Sequence, residues 1–436
     1  MIVDLAVRNF RSFQTEQVLS MNVERARNRH SDNYTVAEDG KLAILRSAAI
    51  LGANAAGKSN VIKAVAALRW MICFSSRLRE GEPISPYEPF RLSAASSSEP
   101  VTLEIEFIVP SRVRYRYAIS FLGDRIVEES LYSFARRQRA LVFHRDAEDT
   151  WKTIKFGGTY KGGNRILPLF PNNSYLSRAG SDASAPDSMR EIYRYFRSTT
   201  ILWPGEDPLV PGFMSVPENL RVAAEILRLA DFGVEEITFE TNDKFEDIKI
   251  PSEFPESLRQ KIIERNKVDY KFWVNSQNGG LVSLDEDAMS EGTMRFFSTL
   301  PSIFLAISNG SPILIDEIDA HFHPHLLRLI LQLFHDPDLN SKGSQLIFTT
   351  HDTNVLDPDL LRRDQVWLVE KSDGASNMRG MEEFDRKLVR QDSPFDRFYM
   401  DGRFGAVPHL SYTSVRDAIL RALQRDENSV REDHHA

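Results

Sequence analysis

The stretch Gly52-Ala53-Asn54-Ala55-Ala56-Gly57-Lys58-Ser59 decides how this chain is read. It has the form Gly-x-x-x-x-Gly-Lys-Ser/Thr of a phosphate-binding loop, without departure. Ser47–Leu51 before it reads as a short buried strand, and Val61–Trp70 after it reads as a helix. Glycine lets the backbone fold tightly, so that successive N–H groups converge on phosphate oxygens. The helix that follows adds its positive end. Lys58 is placed to reach the β- and γ-phosphates, and the Ser59 hydroxyl to ligate Mg²⁺. A chance glycine-rich turn would not bring a strand and a helix with it. The expectation is a bound nucleoside triphosphate.

A second half of such a site lies far along the chain. Ile313-Leu314-Ile315-Asp316-Glu317 is an apolar strand ending in two acids. Ligands of nucleotide-binding sheets sit at the carboxyl ends of strands. Asp316 there would hold Mg²⁺, and Glu317 would orient or deprotonate the attacking water. The strand Leu346–Phe348 runs on to His351, whose imidazole is placed to contact a γ-phosphate. The same segment also reads as a helix cap through Thr350 or Asp352. Ser290, Gly292 and Thr293 precede a helix expected to start near Met294, which makes a second anion-binding helix start or a plain cap. His321, His323 and His325 alternate, but Pro324 interrupts them and no cysteine is near, so they read as the loop after the acids, not as a metal site.

Bulk properties narrow the classes. A chain of 436 residues can bury a large core and form more than one lobe. Its formal net charge of -8 gives no overall support for nucleic-acid binding. The one cysteine, Cys73, excludes an intramolecular disulfide and reads as a buried apolar residue. Met1-Ile2-Val3-Asp4 places an acid where a secretory leader needs bases, and no apolar run is long enough for a membrane span. A soluble cytoplasmic protein is expected.

The chain divides at 154, 280 and 411. Residues 1–154 hold an N-terminal lobe: an alternating ribbon over 1–20, a polar loop over 21–40, the phosphate loop, a Pro/Ser-rich connection over 81–100, and antiparallel strands at Val101–Val109, Arg112–Phe121 and Ile126–Phe134. Arg112, Arg114 and Arg116 share one strand face, which suits DNA or simple solvation. Residues 155–280 form an irregular and helical insertion. It has helices at Asp187–Arg197, capped by Asp187, at Pro217–Ala230 and at Glu256–Lys267, with short strands across 235–285. Residues 281–411 alternate strands and helices as a mostly parallel sheet does. Residues 412–436 are a tail, frayed beyond Arg425.

In order, the pieces are Asn9-Phe10-Arg11-Ser12-Phe13, Gly52–Asn60, Ser290–Thr293, Asp316–Ala320 and His351. That order resembles the ABC-type ATPase heads of chromosome-maintenance, double-strand-break repair and overcoming-lysogenization-defect proteins. The loop, Asp316-Glu317-Ile318-Asp319-Ala320-His321-Phe322-His323-Pro324 and Gly402–Pro408 most resemble the stand-alone ATP-binding proteins of bacterial abortive infection and phage defence. The likeness spans about residues 1–70 and 280–410. It implies an α/β fold: an ABC-type head with a RecA-like, mostly parallel sheet, an antiparallel β subdomain and a mixed insertion. It implies ATP and Mg²⁺, and a homodimer or higher homo-oligomer in which Ser290 and Gly292 of one copy close over the other copy's Gly52–Ser59. It further implies Asp319 in the loop that crosses that interface, His351 as the γ-phosphate switch, Arg11 as a nucleotide contact, and Asn54 and Asn60 as loop positions typical of the group. Two features depart from the pattern. Ser290-Glu291-Gly292-Thr293 differs from the transporter signature, and no glutamine lies between Ser59 and Gln138, where such heads carry one. Hydrolysis is therefore expected to be slow. No acidic pattern of a fused nuclease follows His351.

Three functions fit. The first is the regulatory ATPase of an antiphage system that controls a separately encoded nuclease or toxin. The second is a repair ATPase that acts on DNA as a dimer. The third is a scaffold clamped by ATP with little turnover. In each, Lys58→Ala is expected to weaken nucleotide binding by removing a charge-assisted phosphate contact. Titration with labelled ATP checks this, and retained affinity would place the site elsewhere.

Overall fold

The structure is a computed structural model that describes residues 1–24, 30–37, 42–135, 138–206, 208, 210–241, 263, 268–320, 322–384, 394–405 and 411–421. Its centre is a sheet in the order Thr200–Leu202, Ile313–Ile315, Leu346–Thr349, Ser47–Gly52, Val366–Ser372, Ala375–Gly380. Neighbours run parallel except for the last two, which form an antiparallel hairpin. Alternate side chains take opposite faces. Ile50, Leu314, Ile347 and Val369 join one core, which holds Val61, Ile62, Val65 and Leu68 of the helix Lys58–Cys73. Ala49, Leu51, Ile313, Ile315 and Phe348 join a second core with the helices Glu291–Asn309 and Pro324–His335. Both faces are covered, so the strands are continuous apolar runs.

A second sheet is antiparallel, in the order Lys155–Phe156, Gln138–Asp146, Ile126–Ala135, Arg114–Phe121, Val101–Ile108, Ile2–Arg8, Gln17–Ser20. Its Leu103, Ile105 and Phe107 share the core of the helix Lys58–Cys73, which is thereby held between two sheets. Phe107 stacks on Tyr195 at 5.6 Å and meets Phe196 edge-on at 4.9 Å, seating the helix Asp187–Ser198. Strands Val234–Thr241, Val268–Asn275 and Leu281–Asp285 form a third, antiparallel sheet.

Several expectations change. Asp187 does not cap its helix. Pro186 holds that position, and Asp187 pairs with Arg190 inside the first turn. The helix expected near Met294 begins at Glu291. The loop reading of 21–40 misses the strand Tyr34–Ala37, paired with Leu42–Leu45. The irregular reading of 155–186 misses the helix Tyr175–Gly180. Thr200–Leu202, within the segment read as an insertion, hydrogen bonds into the central sheet. Arg114 and Arg116 pair with Glu106 and Glu104 of the adjoining strand, so their charge is neutralised locally. All of the expected helix Glu256–Lys267 but residue 263, His321 and the tail beyond Arg421 lie outside the described residues. Among the described residues no helix is long and apolar enough to cross a membrane.

Under the central strand, His335 is buried against Ser47, whose Oγ lies 2.9 Å from its Nε2. The Gln365 amide nitrogen, which only donates, lies 2.7 Å from that Oγ and 3.3 Å from the ring Nε2, so Nε2 serves as an acceptor. Burial, with Arg46 and His30 adding, pushes the imidazole pKa down to about 3. An unfolded histidine titrates near 6.5. Between these values only the unfolded chain takes up this proton, so acid removes stability. The expected loss from this group is about 1.4 kcal/mol per pH unit below about pH 6.5. Denaturant melts at several pH values check it: His335→Gln should show a shallower fall, smaller by about 2 kcal/mol between pH 6.5 and 5.

Candidate functional site

The loop is built as its glycines require. Gly57 sits at φ +112° as the N-cap of the helix Lys58–Cys73, and Ala55 takes φ +60°. A Cβ on Gly57 would lie 2.4 Å from Ser376 Oγ, and one on Gly52 would lie 2.2 Å from the Val369 carbonyl oxygen. No side chain fits either place. Asn54 and Ala55 are exposed at the tip, and Ala56 is buried behind it. Lys58 is buried, and its Nζ donates to the Gly52 and Ala53 carbonyls at 3.0 and 3.2 Å. Its pKa is lowered by burial, against the opposing pull of Glu317, Asp316 and Asp319.

Asp316 is buried at the end of its strand and accepts a hydrogen bond from Thr349 Oγ1 at 2.6 Å. The same oxygen accepts the Glu317 N–H at 2.7 Å. Glu317 is exposed and takes φ +50°, a left-handed conformation that costs a non-glycine residue energy. Asp319 receives the His351 N–H on both carboxylate oxygens at 3.2 Å. The His351 pKa is lowered by burial first and by Lys58 second, while the three acids oppose. The imidazole is therefore neutral near pH 7 and holds one donor and one acceptor nitrogen.

Lys58, Asp316, Glu317, Asp319 and His351 thus come together electrostatically around the loop. One ammonium faces three carboxylates, a formal excess of negative charge. A polyphosphate enters such a site only with a cation, and a hard divalent ion held by one or two carboxylates plus phosphate oxygens suits it. Asp316 and Ser59, at the helix start, could hold it. The donor set fits Mg²⁺.

Other expected residues are placed elsewhere. Ser290 caps the helix Glu291–Asn309: its Oγ accepts the Thr293 N–H at 3.1 Å and lies 2.7 Å from Thr293 Oγ1. Gly292 sits in that first turn. Arg11 forms a two-pronged ion pair with Glu88, at 2.6 and 2.7 Å. Asn60 spends its amide on Ser12 Oγ at 2.6 Å. His323 caps its own helix and stacks on His325 at 5.1 Å. Asp352 caps Thr353–Leu356, as the capping reading expected, while Thr350 Oγ1 accepts the Asp352 N–H. Gln138 is exposed at the start of a strand of the antiparallel sheet. Sequence reasoning missed Thr349, Ser12 and Ser376. Thr349 was visible as the last residue of an apolar strand, whereas Ser376 carries no motif.

A family model described as an AAA domain, putative AbiEii toxin, Type IV TA system, matches residues 47–357. The chain belongs to this family. Its architecture is a phosphate loop at the carboxyl end of an interior strand of a mostly parallel sheet, backed by an antiparallel sheet. No curated protein matches significantly in sequence. Among solved structures, an SMC head domain from Thermotoga maritima matches at 14% identity and a TM-score of 0.41, over 87% of this chain and 98% of that chain. An Smc head domain with an extended coiled coil from Pyrococcus furiosus, bound to the C-terminal domain of ScpA, matches at 14% identity and a TM-score of 0.38, over 88% of this chain and 97% of that chain.

Thr349→Val keeps the shape and removes the hydroxyl shared by Asp316 and Glu317. The Mg²⁺ concentration for half-maximal nucleotide binding is expected to rise about 10- to 100-fold, with recovery in Thr349→Ser. Mg²⁺ titration of ATP binding measures it.

Proposed function

We propose that this protein binds ATP with Mg²⁺ and hydrolyses it as the regulatory ATPase of a bacterial antiphage, abortive-infection system. It would control a separately encoded effector, a nuclease or toxin. The observation that carries hydrolysis is the meeting of loop, acids and neutral His351 in one chain. The matched family description supports the defence setting.

The chain's residues divide the work. The loop N–H groups and Lys58 bind phosphate oxygens. Lys58 gives up its two carbonyl contacts to do so. Glu317, exposed and held at its backbone by Thr349, orients a water and takes its proton. His351 donates one ring N–H to the terminal phosphate, and Asp319 fixes its backbone. Mg²⁺, when bound, neutralises charge on the β- and γ-phosphate oxygens. Ser290 and Gly292 stand at a helix start whose positive end suits the phosphates of a second copy, so the active form is a head-to-tail homodimer or a higher oligomer. The pairing of Arg114 and Arg116 with glutamates weighs against DNA on that face.

Glu317→Gln keeps the shape and loses the base. It is expected to retain ATP binding and to lower turnover by at least about 100-fold. Purified from its native host with ATP, this variant should carry a stoichiometric protein encoded by a neighbouring gene. Nuclease-sensitive DNA without such a protein would replace the effector reading with the DNA-acting one.

A further inference from the structure

The turn at Asn9–Phe13, the phosphate loop and the edge strand Ala375–Gly380 meet in a partly buried polar chain. Ser376 is 1% exposed. Its Oγ is hydrogen bonded to the Ala56 carbonyl and lies 2.7 Å from Ser12 Oγ. A carbonyl only accepts, and a serine has a single proton to give. Ser376 therefore donates to Ala56, and Ser12 donates to Ser376. Ser12 Oγ in turn accepts from Asn60 Nδ2 at 2.6 Å. The chain of donors has one direction: Asn60, Ser12, Ser376, Ala56. A backbone bond from the Ser376 N–H to the Ser12 carbonyl, at 2.7 Å, holds the two serines in register.

This chain acts on the loop. In a trans peptide the C=O and N–H point opposite ways. With the Ala56 carbonyl held by Ser376, the Gly57 N–H turns away from the edge strand. The two hydroxyls also occupy the place of a Gly57 Cβ, so the same contact explains the glycine. We propose that Ser376 is a positioning residue for nucleotide binding: its hydroxyl, oriented by Ser12, sets the Ala56–Gly57 peptide to receive phosphate before nucleotide arrives. The proposal rests on the reading of this loop as an ATP site. Preorganised donors bind more tightly because no reordering is needed on arrival. Loop N–H groups of this kind serve the α- and β-phosphates, so ATP and ADP should feel the loss alike.

Calorimetric titration of ATP and ADP into wild type, Ser376→Ala, Ser12→Ala and the double variant tests this, beside steady-state hydrolysis. Ser376→Ala should bind both nucleotides about five- to tenfold more weakly, the net worth of one hydrogen bond. KM for ATP should rise by the same factor with kcat unchanged, the mark of lost uniform binding. Ser12→Ala should weaken binding less, and should add nothing in the Ser376→Ala background because it acts through Ser376. Should Ser376→Ala fail to fold, Ser12→Ala alone carries the test by the same split of KM from kcat. Unchanged affinity for both nucleotides, a fall in kcat at constant KM, or additive effects would overturn the proposal and leave the ATP reading standing. Wild type with no affinity for either nucleotide would overturn the ATP reading itself.

Discussion

The site depends on the two-sided parallel pairing of Ser47–Gly52. Its register against Leu346–Thr349 sets Thr349 beside Ile50, and its register against Val366–Ser372 sets Val369 beside Gly52. One strand further, Ile315 pairs with Phe348. Three chain segments distant in sequence therefore leave the sheet level with one another. The phosphate loop, Asp316-Glu317 and His351 are simply the next residues on each. Thr350 donates to the Ile50 carbonyl and Asp316 to the Leu202 carbonyl, so each segment stays tied to its neighbour past the last paired residue. A one-residue slip would exchange the two cores and carry the acids away from Lys58.

Much of this was legible because the signals were local. A phosphate loop is a backbone device, and its glycines declare the positive φ and close approach it needs. Strands buried on both faces declare themselves as apolar runs, as Ile313–Ile315 does. Acids directly after such a run lie at the edge where ligands bind. What stayed hidden was long-range. Ser376 meets the loop only because the hairpin Val366–Gly380 folds back on Ser12, and no spacing in sequence encodes that contact. Thr200–Leu202 is too short to show a period, and its place is set by pairing with Ile313–Ile315. Asp187 failed as a cap because Pro186 before it already has extended backbone, which begins the helix one residue early. Arg11 has a partner, Glu88, in the Pro/Ser-rich connection whose path the sequence does not fix.

Thr349 shows how the fold makes the acids unequal. Its hydroxyl donates to the Asp316 carboxylate and accepts the Glu317 N–H, so one small group orients both residues. Asp316 is thereby buried and fixed, which suits a group that holds a cation. Glu317 is turned outward by its left-handed backbone, which suits a group that must meet water. A glycine at 317 would relax the strain but carry no carboxylate. A glutamate there without the Thr349 contact would return to ordinary backbone and swing away from the loop. The strain is therefore kept at the exposed carboxylate, and the hydroxyl that holds it also holds the buried one. Position 349 must then supply both a donor and an acceptor from a buried, β-branched strand residue. Threonine meets both demands, because its second branch packs as valine would.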